Sequence, residues 1–186
     1  MMNPRISSGL LALFLLVGAV LACNKTATTS DTDKANKLVD EGNAAVQQAK
    51  TFVTDAEAKK DKMMQTDVRR LAEARVTAAE AIAAYDKAAE KCKEAAQKYD
   101  EASRLKVNDK FKDYLILKVK EYNKRAEMVA TAKGTPQALI ESTNKSSFVI
   151  RANSNNAKVD QLRKEADDLG AQADKLQKDN PDIFKS

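Results

Sequence analysis

Two thiols dominate the chemistry open to this chain, because histidine is absent from all 186 residues. Without imidazole, the commonest general base and the commonest transition-metal ligand are both missing. Cys92 lies inside a run of evenly spaced apolar residues, where a cysteine behaves as a small hydrophobe. With no histidine to take its proton, the expectation for Cys92 is a core position and not a nucleophile. Cys23 has a different setting. Arg5 is followed by an unbroken apolar stretch from Gly9 to Val20 (GLLALFLLVGAV), then by Leu21-Ala22, and after Cys23 the chain turns polar. A basic start, a short apolar core and a small residue before a junction form a secretory signal, with an apolar core too short for a spanning helix. Carboxylate pairs such as Asp167-Asp168 and Glu90/Glu94 fall on polar helical faces. No glycine-rich phosphate loop, Cys/His metal spacing or Ser-His-Asp set is present. The expectation is therefore a non-enzyme with no cofactor and no metal.

Val20-Leu21-Ala22-Cys23 resembles a bacterial lipobox: aliphatic, aliphatic, small, cysteine. The resemblance implies cleavage before Cys23, acylation of its thiol with palmitate-type chains, and a mature lipoprotein that starts there. One acyl chain holds a protein only marginally, whereas two or three hold it firmly. The implied location is the cell membrane or outer membrane, lipid-anchored and facing the periplasm or exterior. Asn24 stands where an aspartate would favour the inner membrane, which leans the expectation to the outer one. The expected organisation is a signal peptide over 1–22, a lipidated cysteine with a polar tether over 23–31, a helical bundle over 32–180, and a tail over 181–186. Eight tether residues reach less than ~30 Å when extended, which keeps the domain near the bilayer. An acylated Cys23 leaves Cys92 without a disulfide partner.

The elements must be helices. Apolar residues make up 43% of the chain but aromatics only 5%, and charged residues 32%, a balance typical of long alanine-rich helices. From position 23 onward there are three glycines (Gly42, Gly134, Gly170) and two prolines (Pro136, Pro181), too few for the turns of a β fold. The expected fold is all-α: an elongated antiparallel helical bundle of three to four long helices with coiled-coil-like packing.

A first helix is predicted over about 32–60, with Ala35, Gly42, Ala49 and Ala56 as a row of small residues seven apart that lets a neighbour come close. Thr66-Asp67 offers caps for a second helix over about 66–106. Its stripe (Val68, Leu71, Arg75, Ala78, Ile82, Tyr85, Ala89, Cys92, Ala96, Tyr99) alternates four and three, which expects Leu71 and Ile82 inside and Arg75 along the core edge. A third helix over about 109–133 presents Phe111, Leu115, Tyr122, Ala126 and Val129, with Gly134 as a C′ residue and Thr135-Pro136 opening the next element. The Asn/Ser-rich stretch before Val159 invites a break near 153–156; the alternative is one long helix with Asn155 as a buried polar register-setter. Pro181 stops the last helix, leaving Ile183 and Phe184 to fold back or hang free. Glu80–Ala88 (EAIAAYDKA) also resembles the second helix of a tetratricopeptide repeat. The repeat's turn, its period of about 34 residues and its closing proline are missing, so no binding residues are carried over.

The formal net charge is +5, and nine Lys/Arg against four Asp/Glu lie between 104 and 133. That patch suits anionic lipid head groups or a negatively charged envelope polymer, although an ordinary solvated helix face accounts for it as well. Nucleic acid is not an expected partner for an extracytoplasmic protein. The functional expectation is a membrane-anchored structural or protein-interaction module of the cell envelope with an envelope protein as partner. A carrier for an apolar ligand and a self-associating coiled coil are the alternatives.

Overall fold

A computed structural model describes residues 29–184, and the statements below concern those residues. Six α-helices follow one another: α1 (Thr29–Gln65), α2 (Leu71–Ser103), α3 (Asp109–Ala132), α4 (Gly134–Glu141), α5 (Lys145–Asp179) and α6 (Pro181–Phe184). A 3-10 turn, Val68–Arg70, leads into α2, and Asp67 caps it by accepting a hydrogen bond from the Arg69 N–H at 2.8 Å. No strand occurs among the described residues, so the chain is an all-α bundle.

α1 starts at Thr29, inside the stretch read as tether, and continues to Gln65, past the charged run at 59–62. Nothing in that run breaks a helix: Lys59 pairs with Asp55 and Lys60 with Glu57, one turn back. The 37 residues of α1 make a rod of roughly 55 Å at about 1.5 Å per residue.

Each rod packs antiparallel on its neighbour in sequence. Between α1 and α2, Lys98 pairs with Glu41, Tyr99 donates to Asn43, and Tyr85 donates to Glu57. Between α2 and α3, Tyr99 meets Tyr122, while Lys133, just past the end of α3, reaches back to Asp86. α3 and α4 together line α5, through Lys124 to Glu165, Thr135 to Asn156, and Arg151 to Glu141. The start of α1, the α2–α3 turn and Phe184 share one pole, where Ala35, Ala102, Phe111 and Phe184 join one apolar cluster. The α1–α2 and α4–α5 turns share the other, where Met63, Ala74 and Ala78 pack with Leu139.

The small row of α1 performs as its spacing suggests: Ala35, Gly42, Ala49 and Ala56 are all buried. A Cβ at Gly42 would sit 3.1 Å from the Tyr99 ring, so this glycine is a site of close approach. Gly134 also makes room, since a Cβ there would lie 2.4 Å from Asn155 Oδ1. It is not a left-handed C′ residue, as expected from sequence, but the first residue of α4.

α5 runs unbroken from Lys145 to Asp179, which corrects the expected interruption at 153–156. Two of the asparagines there, Asn155 and Asn156, bond across to α4. Asn155 Nδ2 donates to the buried Thr135 hydroxyl at 3.1 Å, and that hydroxyl donates to Asn156 Oδ1 at 3.0 Å. The interruption falls earlier, at Ser142–Asn144, where Asn144 caps α5 by accepting from the Ser147 N–H. The tail folds back through α6, whose Phe184 meets Phe111 and Tyr114 edge-on at 5.8 and 5.1 Å.

The start of α2 departs from its stripe. Leu71 is 41% exposed, Arg75 is exposed and Ile82 is half-buried, while Ala74, Ala78, Ala81 and Ala88 are buried. The face toward α1 and α3 is mostly alanine, interrupted by Tyr85, Cys92 and Tyr99, because small side chains let the rods lie close. Leu71→Asp should therefore leave the melting temperature within about 2 °C of the parent, whereas Leu162→Asp, at a 1% exposed position, should abolish the cooperative melt. Gly42→Leu should lower Tm by roughly 2–12 °C through overpacking against Tyr99. An unchanged Gly42→Leu melt would show that the α1–α2 seam is slack.

Candidate functional site

Cys23, the candidate lipidation residue, lies outside the described residues. The other thiol is placed clearly. Cys92 is 4% exposed in the middle of α2, packed between Ala49 of α1 and Ala126 of α3. Burial pushes its thiol up to about 11, with Arg125 too weak to draw it back down. A thiol held protonated at neutral pH is neither a nucleophile nor a ready metal ligand.

The densest polar cluster is one that residue type alone does not single out. Glu121, on α3, is 3% exposed and holds its carboxylate between two cations of its own helix. Lys118 Nζ donates to Oε2 at 2.6 Å and Arg125 Nε to Oε1 at 2.8 Å. Arg125 extends across to Asp167 of α5 at 3.1 Å, and Lys118 lies 4.9 Å over the Tyr122 ring. Gly170 of α5 sits above the carboxylate, where a Cβ would come within 3.2 Å of Oε1. The sequence held a signal for this: Tyr114, Glu121 and Met128 form a row seven apart, and all three are buried.

The cluster is a closed ion-pair network, with Glu121 held by Lys118 and Arg125 and Arg125 tying α3 to Asp167 of α5. Of the paired carboxylates noted in the sequence, one of each pair is occupied: Asp167 holds Arg125 and Glu94 holds Lys91. Among the described residues no group of three His, Cys, Asp or Glu could hold a metal ion. No described helix is long and apolar enough to cross a membrane.

The basic stretch at 104–133 is largely neutralised in place. Arg104 pairs with Asp100, Lys110 with Asp113, Lys118 and Arg125 with Glu121, Lys124 with Glu127 and Glu165, and Lys133 with Asp86. Two of these pairs cross between long rods, so the charge surplus serves packing as well as any surface.

Comparison with protein-family models, with curated proteins and with solved structures finds no match to this chain.

All four tyrosines are buried, and burial raises each hydroxyl above the ordinary tyrosine pKa of 10.0. The negative charge of Glu57 adds to this at Tyr85, and that of Glu121 at Tyr114 and Tyr122. In the unfolded chain these hydroxyls ionise near 10, so above that pH the unfolded state binds fewer protons than the folded one. Stability is then intact below pH 10 and falls as pH rises beyond it. Alkaline titration should show little tyrosinate absorbance until a cooperative unfolding step releases all four; early, gradual ionisation would mean the rings are wet. In the Cys23→Ser protein, Cys92 should resist an aromatic disulfide reagent at about pH 8 until denaturant is added. Prompt labelling of native protein would overturn its place in the core.

Proposed function

We propose that this chain is a lipid-anchored, extracytoplasmic protein of the bacterial cell envelope, with a non-enzymatic structural or protein-interaction role. The observation that carries this reading is Cys23 directly after a basic start and a complete short apolar core. The bundle fits it. Thr29, where α1 begins, lies six residues after Cys23, so the lipid and the first rod are joined by a link of less than ~25 Å. Four long rods folded on one another through short turns favour a self-contained body at the bilayer over an assembly that needs other copies to bury its apolar stripes. The closed ion pairs and buried thiol favour a scaffold over a catalyst.

Cys23→Ser should move the protein from the membrane to the soluble fraction and abolish incorporation of labelled palmitate in living cells. Retention in the membrane together with unlabelled parent protein would sink the anchor. Crosslinking in intact cells followed by purification should return the same envelope protein across growth conditions, and its absence would count against the interaction role.

A further inference from the structure

Among the described residues, six of the seven large apolar side chains that remain exposed lie at one pole of the bundle. They are Met64 at the end of α1, Leu71 and Val76 at the start of α2, Ile140 at the end of α4, and Val149 and Ile150 at the start of α5. Val76 is 62% exposed and Ile150 is 67% exposed. This is the pole of the α1–α2 and α4–α5 turns, brought together by the packing of Leu139 against Met63, Ala74 and Ala78. It lies a full rod's length from Thr29, where the chain comes in from Cys23.

Charge is sorted to the same place. Counted with Asp55 and Glu57, the partners of Lys59 and Lys60, segments 55–76 and 139–151 carry eight Lys/Arg and six Asp/Glu, whereas the rest of 29–184 carries twenty-one of each. Arg69, Arg75 and Lys145 are exposed there and make no ion pair among the described residues. Exposed apolar side chains set among cations are the combination that binds an anionic bilayer: the apolar groups enter the acyl boundary while the cations meet phosphate head groups. An acidic protein surface would use the cations but leave Val76 and Ile150 in water. A second copy would bring like charge against like charge.

We infer that this far pole docks onto an anionic lipid surface. The contact does not need an acyl group on Cys23, because it is made at the opposite end of the molecule.

The test uses the full chain with Cys23→Ser, in which Cys92 is buried and one added cysteine can carry an environment-sensitive dye. Dye at Ile150→Cys or Val76→Cys should gain severalfold in emission and shift to the blue with phosphatidylglycerol-rich vesicles. It should change little with phosphatidylcholine alone, and raised salt should reverse the gain. Dye at Ile116→Cys, an exposed apolar position on α3 away from this pole, should stay unchanged. No change at positions 76 and 150 overturns the inference. An equal change at position 116 overturns it too, since the whole chain would then be partitioning. A gain that depends on protein concentration without vesicles overturns it in favour of self-association. Because Cys23 is replaced throughout, failure here is separable from failure of palmitate labelling in the parent chain.

Discussion

Close approach between α1 and α2 is the constraint that the rest of this structure obeys. A chain with few aromatics and no tryptophan has little large apolar surface to bury. Alanine methyls contribute only small areas each, at about 25 cal/mol per Å². Such a core is stable only if the rods run long and lie near each other, so that many small contacts accumulate. Gly42 against the Tyr99 ring, with Ala35, Ala49 and Ala56 in the same row, sets that spacing. The narrow seam then fills most of the buried face of α2 with alanine, and Tyr85 and Tyr99 are the large side chains it admits, each tied to α1 by its hydroxyl.

The polar interior solves a second problem. Alanine faces slide on one another more readily than interlocked large residues do, and a slip by one turn would cost little in buried area. Interactions that work at one register only oppose such a slip. Tyr99 donates to Asn43 at 2.7 Å, Lys133 reaches Asp86 at 2.7 Å, and Arg125 joins Glu121 to Asp167 across two helices. The partly exposed Lys133–Asp86 pair contributes about 0–1 kcal/mol, whereas removing one partner of the buried Glu121–Arg125 pair costs on the order of 3–5 kcal/mol. Each such bond penalises the wrong alignment more than it rewards the right one. The Thr135–Asn155–Asn156 cluster acts likewise where α4 meets α5.

Helix class, the long rods, the small row of α1 and the core place of Cys92 were all legible in the sequence, because period and residue size report directly on which face meets a neighbour. Three features were not. The start of α2 keeps its apolar spacing at Leu71 but leaves that side chain 41% exposed, and spacing along one helix carries no information about which of its residues a neighbour covers. The Asn-rich stretch of α5 reads as a helix breaker by local preference, yet its amides are claimed by Thr135 on a different element. Glu121 pairs with Arg125 one turn on, as an exposed glutamate could, and its burial depends on Gly170, some fifty positions later, leaving space above it. In each case the deciding atom belongs to a distant part of the chain.

An even number of long rods brings the chain back to where it began, so Thr29 and Phe184 leave from the same pole. Mechanical load is therefore felt in two different ways. Tension between that pole and the opposite turns runs along the helix axes and shears every seam at once, so that many contacts must fail together. Tension between the two chain ends peels the outer rods away from α2 and α3 and breaks contacts a few at a time. The same fold is stiff against being stretched lengthwise and soft against being unzipped from its base.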